Sequence, residues 1–169
     1  MSKCRISYTS SESVFVIKLG GKVCFNSGST LDHLIEQYVK HGDYTYFILD
    51  LSNTEHLDST IIGLFTIIHD ISITRTGRIP TIVAGPGYVY EQLMEIGINR
   101  LFSIIHPPLT YDSEFTEVEE HTYPREKLRS LILTSHQNLM EINERNRERF
   151  RDVIRALMSY EHSSIDFCN

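Results

Sequence analysis

The chain of 169 residues has only three cysteines, Cys4, Cys24 and Cys168. Their odd number and wide spacing argue against a disulfide scaffold or a cysteine-rich metal site and are typical of a reducing compartment. Long apolar runs are also missing, since the richest stretch, 61–73, is interrupted by polar residues and is too short to span a bilayer. The N-terminal residues lack the apolar core of a signal peptide. These absences predict a cytoplasmic protein that is not embedded in a membrane.

Positive charge is not in excess, because 16 Lys and Arg stand against 22 Asp and Glu, for a net charge of −6. Such a balance gives no global field that would attract nucleic acid or anionic lipid, so neither is expected as a partner. Apolar residues make up 41% of the chain, which is enough to bury a core. The length fits one compact domain with an appendage.

Charge and proline divide the chain into a predicted globular domain (1–106), an acidic linker (107–124) and a helical extension (125–169). Pro107 and Pro108 mark the first boundary, because this pair cannot continue a helix or a central strand. Between 110 and 121 there are five acidic residues and no Lys or Arg. The linker therefore differs in composition from the domain before it.

The residue pattern within 1–106 predicts the element order β-β-α-β-α-β-α-β. Strands are predicted at 14–19, 44–51, 79–84 and 101–105, with 4–8 as a hairpin partner of the first and 52–57 as a loop. Helices are predicted between them, with glycines at or near their ends. Strands that alternate with helices imply crossover connections. We therefore expect an α/β fold with a single mixed, mostly parallel sheet and helices mainly on one face.

The extension carries apolar residues at helical spacing from about 124 to 160. The pattern permits one long helix or two helices with a break near Thr134-Ser135. A helix of this length cannot be fully covered by so small a domain. Its apolar stripe is therefore expected to need a second copy of the chain, as in a homodimer, or another protein.

The segment 47–64 carries the most informative motif: a buried strand, a short loop, and Asp58-Ser59-Thr60 with Gly63 at a helix start. This segment resembles the STAS domain of bacterial anti-sigma factor antagonists, in which Asp-Ser-[Ser/Thr]-x-x-Gly opens a helix. The resemblance covers about 5–105 and includes the element order; the extension is outside it. Ile61 departs from the pattern, because many members have glycine there.

The resemblance implies a bacterial signal-transduction switch that is not an enzyme and that controls transcription in a stress response. Its unphosphorylated form would bind an anti-sigma factor, often a serine kinase, and a PPM-type phosphatase would remove the phosphate that the kinase adds. The acceptor would be Ser59, with Thr60 as the second choice. The partner-binding surface is expected to comprise His56, Asp58, Ser59, Thr60 and Ile62.

The position of Ser59 suits such a switch physically. A helix start presents free N–H groups and a partial positive charge that favour a phosphate. The phosphate adds roughly −1.5 to −2 charge, which would repel a partner surface matched to a neutral serine. The alternative from the tripeptide alone is an ordinary capping or first-turn residue.

Other chemistry is weakly indicated, and we expect no catalytic group, metal or cofactor. The eight histidines are scattered, Gly85-Pro86-Gly87 lacks the spacing of a phosphate-binding loop, and the arginines between 145 and 155 are interleaved with acidic residues. Two alternatives remain open. One is a constitutive scaffold or oligomeric subunit in which Ser59 is not modified; the other is a small parallel-sheet enzyme with its site near Asp50 and His56.

Overall fold

The computed structural model describes residues 2–159, so Cys168 and the end of the predicted extension lie outside the described residues. The first eight labelled elements follow the predicted order, and three more come after them. They are β1 (Arg5–Ser10), β2 (Val14–Val23), α1 (Gly28–Leu34), β3 (Tyr46–Leu57), α2 (Ser59–Thr76), β4 (Thr81–Val83), α3 (Tyr88–Ile96), β5 (Ser103–Ile105), β6 (Thr116–Glu117), α4 (Arg125–Met140) and α5 (Glu144–Ser159).

Six strands form one mixed sheet in the order β5-β4-β3-β2-β1-β6. Strands β2 to β5 pair in parallel, whereas β1 is antiparallel to both β2 and β6. The parallel pairs require the crossovers that α1, α2 and α3 supply. The expected mixed, mostly parallel sheet with an initial hairpin is therefore confirmed.

The main core lies between one face of this sheet and the helices. Alternate strand residues such as Ile17 and Leu49 share a single buried cluster with Leu34 of α1, Phe65 of α2 and Leu93 of α3. This arrangement follows from the period of two in the strands and the helical spacing of the apolar residues. All three crossover helices therefore pack on the same face, as predicted.

Strand β3 is longer than predicted, and the expected loop at 52–57 is wrong. The strand continues to Leu57 because β2 also continues past Gly20-Gly21 and pairs with it as far as Val23, across two shifts in register. Gly21 has φ +73, and a Cβ there would lie 2.5 Å from the Lys3 carbonyl oxygen, so only glycine fits this irregular position. Polar residues suggested a loop, but the backbone pairing holds them in the sheet.

The segment predicted as an acidic linker packs against the sheet. Its β6 pairs with β1, the Tyr111 hydroxyl donates to Asp50 Oδ2 at 2.8 Å, and the Tyr123 hydroxyl donates to Asp32 Oδ2 at 2.7 Å. Asp50 neighbours Leu49 in β3 and so points to the face opposite the helices. The segment 107–124 thus covers part of the second face of the sheet and leads the chain back to the helical side.

Replacing Tyr111 by Phe should lower the free energy of unfolding by about 2 kcal/mol, because a buried carboxylate loses a hydrogen-bond donor. Asp50 is only 2% exposed, and its remaining described partner is the Ser52 N–H at 2.9 Å. Urea denaturation measures the effect, with Tyr88→Phe as the matched control because Tyr88 is 57% exposed. Equal stability of the two variants would show that segment 107–124 does not contribute through this bond.

The extension forms two helices, α4 and α5, that fold back on each other as a hairpin. Arg129, in the second turn of α4, donates to the Leu157 carbonyl of α5, so the helices are antiparallel. The break lies at 141–143, where Asn143 Oδ1 accepts from the Asn146 N–H at 2.8 Å, and the expected break near Thr134-Ser135 is wrong. A side-chain cap beyond Met140 therefore decides the break.

The hairpin packs on α2 of its own domain, with Leu139 and Phe150 buried in the main core. The domain therefore covers part of the apolar stripe, whereas Val153 of the same stripe is still 38% exposed. Folding in half reduces the length that must be covered, and each helix shields part of the other. The homodimer through this extension remains a prediction, although these two apolar residues already have partners within the chain.

Candidate functional site around Ser59

Asp58 is the N-cap of α2 and joins the start of this helix to the loop after β2. Its Oδ1 accepts from the Ile61 N–H at 3.0 Å, and its Oδ2 accepts from the Phe25 N–H at 2.5 Å. Burial raises the pKa of Asp58, against the opposing effect of these two N–H donors and of nearby His136 and His56. The carboxyl group therefore has a structural task that fixes the position of the next residue.

Ser59 is the first residue of α2, is half-buried, and has its hydroxyl engaged. Its Oγ lies 2.8 Å from His136 Nε2 in α4, and His136 Nδ1 lies 2.7 Å from the Ile132 carbonyl oxygen. A carbonyl can only accept, so in the neutral ring Nδ1 carries the proton and Nε2 accepts from Ser59. The serine that the motif singles out is thus bonded to the helical extension.

The other residues of the predicted partner-binding surface differ in how exposed their side chains are. Thr60 is 3% exposed and Ile62 is 0% exposed, so neither side chain is available to a partner in this conformation. His56 is half-buried and stacks on the exposed ring of Tyr88, with centroids 5.8 Å apart. The accessible part of the predicted surface therefore consists of Asp58, Ser59 and His56.

Gly63 explains the last position of the motif in terms of helix packing. A Cβ on Gly63 would lie 2.7 Å from both the carbonyl carbon and the Cβ of Ser135 in α4, and closer still to the carbonyl oxygen. Glycine at this position therefore permits a very close approach of α2 and α4. His136 follows Ser135 directly, so the same crossing places the imidazole against Ser59.

His136 is the residue of this site that sequence reasoning missed. Both of its ring nitrogens have hydrogen-bond partners, Ser59 and the Ile132 carbonyl, and the side chain is only 5% exposed. The available signal was its place on the apolar stripe of the extension, between Ile132 and Leu139. Nothing in the sequence linked that stripe to Ser59, which is 77 residues away.

The other candidate residues of the sequence analysis make hydrogen bonds or ion pairs within the fold. Asp50 is bonded to Tyr111 and to the Ser52 N–H. It lies in the middle of β3, whereas the predicted strand 44–51 ended one residue after it. In α5 the arginines lie beside acidic groups, including Arg149 with Glu95 of α3 at 3.2 Å.

Within 2–159, no three His, Cys, Asp or Glu side chains are grouped so that they could hold a metal ion. The same residues include no helix that is long and apolar enough to cross a membrane.

Comparison with known proteins identifies the class. The family model of the STAS domain matches residues 5–114, about two thirds of the chain, so the chain belongs to the STAS-domain family. The match extends past Pro108 and includes Tyr111 and Ser113, two of the residues that attach the segment after the prolines to the sheet.

Two solved structures share this fold. The anti-sigma factor antagonist SpoIIAA in its unphosphorylated form is 15% identical, with a TM-score of 0.50 over 62% of this chain and 89% of that chain. A candidate anti-sigma factor antagonist from Thermotoga maritima is 20% identical, with a TM-score of 0.52 over 62% of this chain and 87% of that one. No curated protein matches the chain.

Proposed function

We propose that the chain is a protein-binding switch of the anti-sigma factor antagonist type, controlled by phosphorylation of Ser59. The observation that carries the proposal is the position of Ser59 as the first residue of α2, after the capping Asp58, in a STAS domain. The likeness of the fold to two such antagonists, one solved in an unphosphorylated form, supports it. The partner would be an anti-sigma factor or serine kinase, and a PPM-type phosphatase would reverse the modification.

The physical argument concerns charge at a defined surface. A phosphate at the first position of α2 meets the N–H groups and the positive end of the helix, so the helix can tolerate it. The same phosphate beside the Asp58 carboxyl presents concentrated negative charge to a protein that had matched a neutral hydroxyl. Binding can therefore be abolished with little change of fold.

The first test is phosphopeptide mass spectrometry on the protein purified from its native cells, with and without stress. We expect phosphate on Ser59, and none on this peptide in Ser59→Ala. Thr60 is the second choice and is more deeply buried than Ser59. A chain that stays unmodified in every condition, including cells without phosphatase activity, would contradict the proposal.

Substitutions at the two neighbouring hydroxyls give the binding test. Ser59→Ala should bind its partner at all times, whereas Ser59→Asp should weaken binding at least about hundredfold, which corresponds to about 3 kcal/mol for a buried mismatched charge. Calorimetry with the protein captured by Ser59→Ala measures both. Thr60→Ala tests the second-choice acceptor, and Ser103→Ala, at an exposed serine of β5 outside the predicted surface, is the matched control that should bind and be switched like the wild type. Unchanged binding in both Ser59 variants would exclude the switch at this residue.

One observation favours the second candidate, a constitutive scaffold in which Ser59 is not modified. The Ser59 hydroxyl is bonded to His136 and lies beneath α4, as a side chain with a purely structural task would. This candidate predicts no phosphate on Ser59 and equal partner binding by Ser59→Ala, Ser59→Asp and the wild type. The two tests above separate it from the switch.

A further inference from the structure

The hairpin of α4 and α5 covers the residue that the proposed function requires to be accessible. The imidazole of His136 holds the Ser59 hydroxyl at 2.8 Å and is itself only 5% exposed. A kinase must take this hydroxyl into its own active site, and a protein partner must contact the start of α2. Both require His136 to release the hydroxyl, and at Gly63, one turn further along α2, α4 lies too close for another chain to fit between the two helices.

The contact between hairpin and domain has the composition of a reversible interface. Five hairpin residues are buried, and three of them, Ser135, His136 and Asn146, are polar. The other two, Leu139 and Phe150, are the fully buried apolar anchors, and the partly buried Leu131, Met140 and Ile142 also pack against the core. Among the buried residues before Pro107, by contrast, 27 are apolar and nine are polar. A contact with two fully buried apolar anchors opens at lower free energy than the core does.

Buried polar atoms without a hydrogen-bond partner also favour opening of the hairpin. Among the described residues three buried side-chain atoms have no hydrogen-bond partner within the protein, and two of them, Ser135 Oγ and Asn146 Oδ1, belong to the hairpin. Each such atom would regain a water partner if the hairpin left α2, which favours opening. The hydrogen bonds that oppose opening lie mostly at the turn between α4 and α5, where Asn143 and Asn146 each donate to the Ile96 carbonyl of α3.

We propose that the α4–α5 hairpin is a reversible intramolecular cover of Ser59, and that a kinase or protein partner reaches this residue only after the hairpin leaves α2. This regulation rests on the proposed function for the identity of the visiting proteins, but not for the opening itself. The hairpin occupies the partner surface, so it competes with the partner for the start of α2. Conditions that favour the open hairpin, or proteins that bind it, would therefore activate the switch.

The test measures access to position 59 without any kinase or partner. In the full chain carrying Ser59→Cys, a thiol-alkylating reagent is applied under native conditions, and labelling is resolved by peptide mass spectrometry. Adding Phe150→Ala removes an anchor that packs edge-on against His136, with ring centroids 5.3 Å apart. Labelling at position 59 should become at least about tenfold faster. Leu139→Ala, which removes the other anchor, should have the same effect.

Controls separate opening of the hairpin from loss of the fold. Met158→Ala changes an apolar residue of the same helix that is 58% exposed, so it should leave the rate at position 59 within about twofold. The native Cys4, half-buried directly before β1, serves as an internal reference whose rate should not change.

Two results would overturn the proposal. One is a rate at position 59 that neither anchor variant alters. The other is a parallel rise at Cys4, which would mean that hairpin and domain open only together. A chain that opens in this test but never carries phosphate on Ser59 in cells would refute the proposed function alone, while phosphorylation without separate opening would refute the cover alone.

Discussion

Gly63→Ala should lower the free energy of unfolding by about 2 to 3 kcal/mol, although alanine is normally the better residue in a helix. The new Cβ would meet the backbone of Ser135 at 2.7 Å or less, and a backbone cannot turn away as a side chain can. Helices α2 and α4 must therefore separate. This separation uncovers Ser59 and breaks its hydrogen bond to His136. Urea denaturation followed by circular dichroism measures the loss.

Gly28→Ala is the matched control, because Gly28 also lies in a helix and also faces α4. The atom nearest to a Cβ there is a methyl group of Leu131 at 3.4 Å, at the end of a side chain that can move. We expect a change of no more than about 0.5 kcal/mol, or a slight gain from helix propensity. Similar effects of the two substitutions would show that the close crossing at Gly63 is not needed for stability.

Asp58→Ala should be at least as damaging, at about 2 to 4 kcal/mol, because it removes two hydrogen bonds at once. The Ile61 N–H loses its cap, and the Phe25 N–H loses the bond that ties the loop after β2 to the start of α2. Asp58→Asn keeps one acceptor and should fall between the wild type and Asp58→Ala. Chemical denaturation of the three proteins at neutral pH gives this order, and an Asn variant as unstable as the Ala variant would contradict the two-bond account.

The pH dependence of the same series has a defined sign. Burial raises the pKa of Asp58 in the folded chain above its ordinary value of 3.8, so in that region the folded state binds more protons than the unfolded state. The contribution to stability from the protonated carboxyl is fully present below pH 3.8 and is lost as pH rises through the higher folded pKa. The stability of the wild type relative to Asp58→Asn should therefore fall from acidic to neutral pH. A relative stability that rises with pH would mean that the two N–H donors outweigh burial.

These substitutions separate two tasks within one short motif. Asp58 fixes where α2 begins and therefore where Ser59 stands, as a capping residue does in any helix. Gly63, four residues further along α2, sets how closely α4 can approach. The distance between Ser59 and His136 depends on both, so stability and access to the serine are coupled at this corner of the molecule.

Much of the domain was predictable from the sequence, because its elements have strong local signals. The apolar and β-branched runs predicted the strands, the glycines at 77 and 97 marked the helix ends with φ of +69 and +90, and Asp58-Ser59-Thr60 marked the start of α2. The prediction failed for 52–57, where polar residues concealed a strand that is held by pairing with β2. Pairing between distant segments has no local signal, so a sequence pattern cannot show it.

The sequence by itself determined the class of fold, the position of Ser59 at a helix start, and the presence of a helical extension with an apolar stripe. Only the tertiary structure decided which surface that apolar stripe packs against. Helix periodicity specifies which residues share a face, but not which surface will cover it. That choice depended on the close approach at Gly63, on the fold in the extension at 141–143 and on the path of 107–124 along the sheet. These contacts join residues far apart in the chain, and they place His136 over the serine.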